Sequence, residues 1–267
     1  MTSRFTLRRA RAWWPRATFA RAVALCLASA SAFAQTPVVT KVEPPNWWAG
    51  HSINPVRLLI RGQHLAGARL ACPAALRCGA VTVNAAGSYV FVDVSVPAAT
   101  KPGSYPITVR TPAGETRFDF TVSAPLPRAG RFAGFDVNDV MYLIMPDRFA
   151  NGDPSNDQPA KSPRLIDRTK GRSYHGGDVA GVRQKLPYLK SLGVTAIWMT
   201  PIYDNNDKVN EVETYAGQVV TDYHGYGAVD FYGVDEHLGT LDEYRALVDE
   251  AHKLGMKVIK DMVANHT

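Results

Sequence analysis

Hydrophobic and polar positions follow two different rules along this chain, and the change falls near residue 125. From 37 to 123, short runs alternate apolar and polar residues and are separated by Gly and Pro: PVVTKVEP, PVRLLIRG, AVTVN, YVFVDVSVP, SYPITVRTP and TRFDFTVS. Period-two alternation punctuated by turn residues predicts an antiparallel, immunoglobulin-like β-sandwich over 35–125. The stretch APLPRAGRFAG at 124–134 reads as a linker.

Beyond it the runs become apolar throughout: VMYLIM at 140–145, VTAIWMT at 194–200 and KVIKDMV at 257–263. Continuous apolar runs suit parallel strands buried on both faces. Between the second and third lies a helix, with Thr240 as N-cap and Glu243 completing a capping box. Tyr244, Leu247, Val248, Ala251 and Leu254 line its inner face, and Gly255 ends it. Between the first and second, Asp178 caps a helix facing inward through Val182, Leu186 and Leu189. The order is that of a βα-repeat fold, and both long loops, 146–177 and 201–239, follow strands, where such folds place chemistry.

The formal charge of +6 suggests an anionic partner until its location is considered. Arg4, Arg8, Arg9, Arg11, Arg16 and Arg21 all fall within 1–34, which holds no lysine and no acid; without them basic and acidic residues balance at 24 each. No nucleic-acid partner is expected. The arginines, the apolar stretch at 22–33 and the small-residue pattern ending at Ala34 predict a secretory signal cleaved before Gln35. About 12 apolar residues are too few for a membrane span, which takes about 20. The protein is expected to be exported, to periplasm or medium, with no membrane association after cleavage. In an oxidising compartment Cys72 and Cys78, in CPAALRC, are expected to pair as a disulfide.

Two constellations sit on the long loops. MPDRFANGDPSND at 145–157 concentrates Asn151, Asp153, Asn156 and Asp157, and GGD follows at 176–178. Such side chains supply the oxygens that calcium coordinates, about six to eight at a time; they also make solvated Asx turns, and spacing alone leaves both open. TDYHGYGAVDFYGVDEHLGT at 221–240 interleaves aromatics with His and Asp, which suits a sugar's apolar faces and hydroxyls, or a buried core. Asn265 and His266 would reach the same rim. Trp47 and Trp48 read as core or interface residues.

DRFANGDPSND, GGDVAGVRQKLPYLKSLGVTAIWMTPI, YHGYGAVDFYGVDEHLGT and DMVANH, in this order, resemble the α-amylase superfamily, glycoside hydrolase family 13. VEPPNWWAG at 42–50 resembles the start of the N-terminal domain of its neopullulanase and cyclomaltodextrinase branch. The resemblance implies a β-sandwich followed, over 126–267, by the first part of a TIM (β/α)8 barrel, truncated after its third strand. It makes Asn151, Asp153, Asn156, Asp157, Gly176 and Asp178 the ligands of a calcium ion. It makes Tyr226 a platform under the sugar, His224 and His266 donors to its hydroxyls, and Asp261 and Asn265 structural residues near the site. Gly227 stands where many amylases carry a bulky aromatic. It further implies an α-glucan substrate (maltodextrin, cyclodextrin or pullulan) and a homodimer built through the N-terminal domain.

Retaining cleavage needs two carboxyl groups about 5 to 5.5 Å apart. In the family these follow later strands, and neither Asp222, Asp230 nor Asp261 matches them. The 267 residues are therefore expected to be the N-terminal portion of such a hydrolase, inactive alone; the other reading is a non-catalytic sugar-binding or interaction module.

Overall fold

The computed structural model describes residues 35–127, 129 and 134–266. The expected signal at 1–34 lies outside the described residues.

Alternation in the first region becomes two facing sheets. One has the order β1 (Val38–Glu43), β3 (Val56–Gln63), β6 (Tyr89–Ser95), β5 (Arg77–Val83). The other runs β2 (Asn46–Trp48), β8 (Gly114–Ser123), β7 (Gly103–Thr111), β4 (Arg69–Ala71). The inward members of each alternation meet: Leu58, Ile60, Val90 and Val92 from one sheet, Ile107, Val109, Phe120 and Val122 from the other. Cys72 and Cys78 are joined by a disulfide, Cα–Cα 5.7 Å, across the connection from β4 to β5.

Two short strands escaped the periodicity, since three residues cannot show a period of two. One of them also corrects the expected all-antiparallel pairing: β2 runs parallel to β8. Pro44 and Pro45 have no N–H to give a ladder, so one extended stretch divides there into β1 on the first sheet and β2 on the second. Trp47 on β2 packs against the sandwich core, and its indole N–H donates to the Ile53 carbonyl at 2.9 Å.

The three apolar runs form a parallel sheet ordered β15 (Lys257–Lys260), β10 (Ala196–Met199), β9 (Met141–Ile144). Helices α2 (Val179–Gln184), α3 (Leu186–Ser191) and α4 (Leu241–Lys253) bring Val179, Val182, Leu186, Leu189, Leu247 and Ala251 onto Ile144, Ile197 and Met199. The capping box of α4 is present, with Glu243 N–H donating to Thr240 Oγ1 at 3.2 Å and Thr240 N–H donating to Glu243 Oε2 at 2.7 Å. The helix expected after Asp178 is divided in two at Lys185. Pro187 carries no N–H for the preceding turn and is tolerated only in the first turn of a new helix, α3.

Burial on both strand faces is not observed. Leu143, Trp198 and Ile259 stand in register on the face away from the helices, with Leu143 56% and Trp198 37% exposed. Helices cover one face, and no other layer covers the second among the described residues. The loop expected at 201–239 also contains regular structure: β11 (Tyr203–Asn205) pairs with β14 (Ala228–Val234), and β12 (Asn210–Tyr215) forms a hairpin with β13 (Gln218–Val220).

Candidate functional site

The loop after β9 opens with a single helical turn, α1 (Pro146–Phe149), and is closed by an acid that spacing did not single out. Asp147 is buried, and its carboxylate accepts the N–H groups of His175 at 2.7 Å and Gly176 at 3.1 Å while pairing with Arg148. An acid two positions after an apolar run, behind Pro146, was the available signal. Both ends of the loop are thereby fixed, Gly177 N–H reaching the Asp147 carbonyl at 2.9 Å.

This closure gathers the six expected cation ligands. Asn151 Nδ2 donates to Asp157 Oδ1 at 2.8 Å, and Asn156 Nδ2 approaches Asp178 Oδ2 at 3.4 Å. Gly176 has φ +85°, and a Cβ there would lie 2.3 Å from Asp157 Oδ1, so the backbone approach requires glycine. The donors are all oxygens, the chemistry calcium prefers, and Asn156 Oδ1 is buried without a partner. Hydrogen bonds from Ser155 hold the Asp153 carboxyl below its usual range, keeping it ionised. Two features differ from a simple ligand ring. Asp178 is fully buried, and its oxygens accept N–H bonds from Gly152, Asp153 and Gly181, so it braces the loop and caps α2. Arg168 donates to Asp157 Oδ2 at 2.9 Å and to the His175 carbonyl at 2.8 Å, placing a positive charge beside the cluster.

A second acidic group, Asp204, Asp207 and Glu236, was not expected, since its members meet only in the fold. Lys161 Nζ lies 2.7, 3.2 and 3.3 Å from the three, so an ammonium already sits among them and offsets part of their charge.

His224, Tyr226 and His266 converge on one cavity of about 450 Å³, lined also by Arg172, Glu213, Asp222 and Gly227. His266 Nε2 lies 2.9 Å from the Tyr226 carbonyl, which accepts only if this nitrogen carries a proton. Burial, with Arg172 adding to it, lowers the His224 pKa and favours the neutral ring. Its Nδ1 accepts the Tyr226 N–H at 3.0 Å, leaving Nε2–H as a donor. Asp261 accepts the Tyr226 hydroxyl at 2.7 Å, orienting the ring; burial and this bond push the phenol up to about 12. The Tyr226 ring stays 37% exposed and free to stack. Asn265 is exposed. In the pocket wall, Arg172 lies 4.2 Å over the Tyr215 ring, and outside the lining Arg148 lies 3.9 Å over that of Tyr223.

A β-sandwich ahead of strand–loop–helix units, with polar groups at the carboxyl ends of parallel strands, defines an N-terminal domain joined to part of a (β/α) catalytic barrel. Residues 143–267 match the family model described as alpha amylase, catalytic domain, and residues 41–124 match that of the cyclomaltodextrinase N-terminal domain. The chain belongs to the α-amylase superfamily, in its neopullulanase- and cyclomaltodextrinase-like branch.

Among similar proteins, a beta/alpha-amylase of Paenibacillus polymyxa is 44% identical over 127 residues, which are 48% of this chain and 9% of that protein. Neopullulanase 2 of Thermoactinomyces vulgaris is 43% identical over 128 residues, 48% of this chain and 19% of that protein. A periplasmic alpha-amylase of Escherichia coli K12 is 35% identical over 136 residues, 49% and 19% of the two. The chain thus matches a fifth or less of the length of these relatives. No described helix is long and apolar enough to cross a membrane.

Proposed function

We propose that these residues supply the N-terminal sandwich and the sugar-binding rim of an exported glycoside hydrolase that acts on α-1,4-glucans by a retaining mechanism. The observation that carries this reading is the convergence of Tyr226, His224 and His266, from segments 40 residues apart, on one open cavity. An exposed ring held by Asp261 offers a stacking face, and the two imidazoles offer polar atoms to hydroxyls. No acid of this sequence is assigned the nucleophile or acid/base role.

Calcium belongs to the same reading. Asn151, Asp153, Asn156, Asp157 and the Gly176 carbonyl would hold it, with Asp178 fixing their backbone. The ion would supply charge that fixes the first loop beside the cavity. Export, to periplasm or medium, is supported by the leader's composition, and self-association through the sandwich completes the proposal.

Titration of the 267-residue chain with maltotriose and cellotriose, followed by calorimetry and NMR, tests the sugar assignment. Maltotriose should bind in preference, and Tyr226→Ala should weaken binding about tenfold or more, through loss of ring stacking and buried apolar area. Equal binding of both sugars, an unaffected Tyr226→Ala variant, or release of reducing ends by the chain itself would overturn it. Calcium at about 100 times its Kd should stabilise the chain by about 2.7 kcal/mol in melting experiments. Asn156→Ala should remove most of that gain.

A further inference from the structure

We infer that Asp222 is a further substrate-binding residue of this cavity, an acceptor for sugar hydroxyls that occupies the volume left by the missing side chain of Gly227. The inference rests on the sugar-binding reading of the site. A Cβ at Gly227 would lie 2.3 Å from Asp222 Cγ and 2.5 Å from each of its carboxylate oxygens. The carboxylate therefore stands where any other residue at 227 would project, next to Tyr226 in the chain and on the same cavity wall.

Its bonding distinguishes it from the other enclosed acids. Asp147, Asp178 and Asp235 accept backbone N–H groups, Asp230 pairs with Lys41, and Asp261 takes the Tyr226 hydroxyl. No donor among the described residues bonds the Asp222 carboxylate; Arg172, on the same wall, lies over Tyr215 instead. Burial, with Asp235 and Glu213 adding repulsion, raises its pKa, the sign of a carboxylate that lacks the donors it needs. With the Arg172 guanidinium and the His224 ring lining the same cavity, the Asp222 carboxylate is a poor cation site. A ligand that brings neutral hydroxyl donors satisfies it, and two carboxylate oxygens suit two neighbouring hydroxyls. Gly227 then sets specificity: it admits a charged acceptor beside the stacking platform, where a side chain would exclude it.

The test is a double-mutant cycle on the 267-residue chain, with maltotriose affinity by calorimetry and folding by circular dichroism. Asp222→Ala should weaken binding about ten- to hundredfold, the loss typical of a charge-assisted hydrogen bond. Gly227→Ala should weaken it similarly, because its Cβ displaces the carboxylate, and the double variant should bind no worse than Asp222→Ala. Asp222→Asn, which keeps size and one acceptor, should lose less and covers the case in which Asp222→Ala does not fold. Full affinity in Asp222→Ala or Asp222→Asn, or losses that multiply in the double variant, would overturn the role of Asp222 alone. Absence of maltotriose binding by the unsubstituted chain would instead overturn the sugar-binding reading, and this inference with it.

Discussion

In the β-sandwich, Leu58, Ile60, Val92 and Phe120 meet across two sheets and none is more than 1% exposed, whereas in the parallel sheet Leu143 and Trp198 share an uncovered face. The first region completes its own core. The second buries one sheet face under α2, α3 and α4 and holds its loops through polar clamps: Asp147 on His175 and Gly176, Asp178 on Gly152 and Asp153, Tyr174 on Asp235. Apolar packing is strong and indifferent to direction, so it suits a scaffold. Hydrogen bonds fix direction at about 1 kcal/mol apiece net, which suits a cavity wall that must point particular atoms at a ligand. Stability and chemistry are thus concentrated in different halves of the chain.

The largest test of this contrast is Leu58→Ala. The side chain is fully buried between the two sheets, so truncation should cost about 2 to 5 kcal/mol in urea unfolding. Hydrogen exchange should quicken across β1 to β8, while the strands β9, β10 and β15 keep their protection. Equal loss of protection in both regions would show a single cooperative unit and dissolve the contrast.

Tyr174→Phe strikes the opposite half and should cost less. The Tyr174 hydroxyl donates to Asp235 at 3.0 Å, its ring stacks on His237 at 4.1 Å, and all three are buried, joining the first long loop to the second. Removing the donor leaves Asp235 with Asn205 and His237, at a cost of about 1 to 3 kcal/mol. Exchange should rise in 146–177 and 201–239 and stay unchanged in the sandwich. A sandwich that loosens as well would refute the assignment of this clamp to the loops alone.

That clamp also shows where sequence reading stops. The capping box of α4 and the alternation of VRLLIRG were legible because the interacting residues lie within a turn or a strand of one another. Asp178 was legible as a helix cap, yet its donors at Gly152 and Asp153 are 26 and 25 residues away, which no local spacing announces. The rim residues Tyr226 and His266 came from resemblance; nothing in periodicity joins positions 40 apart. Asp222 was set aside on sequence because it matches no catalytic acid, and only the space above Gly227 distinguishes it. Polar pairs between loops carry no periodic signal, so they are found last.

Acid should loosen the sheet edge that adjoins the linker. Asp139 accepts from Lys257 Nζ at 2.6 Å, Asp136 N–H at 2.8 Å and Thr195 Oγ1 at 2.8 Å, and the Lys257 bond, foremost, brings its carboxyl down from 3.8 to about 2. The folded pKa lies below the unfolded one, so this contribution is present in full above about pH 4 and is lost as pH falls towards 2. Urea midpoints between pH 2 and 5 should decline less steeply in Asp139→Asn than in the unsubstituted chain. Parallel declines would remove Asp139 from the acid response.

The smallest effect belongs to a contact that crosses between the halves. Lys41, on β1 of the sandwich, pairs with Asp230 on β14 and with Glu43 at 3.0 Å, and its side chain is 34% exposed. Water screens such a pair and holding a long side chain costs entropy, so Lys41→Met should cost only about 0.2 to 1 kcal/mol, and less in high salt. Hydrogen exchange should change at β1 and β14 and nowhere else. If the loss instead exceeded 2 kcal/mol or spread through both cores, the sandwich would be sustaining the cavity directly, and the division between a self-sufficient scaffold and a polar, clamped site would have to be abandoned.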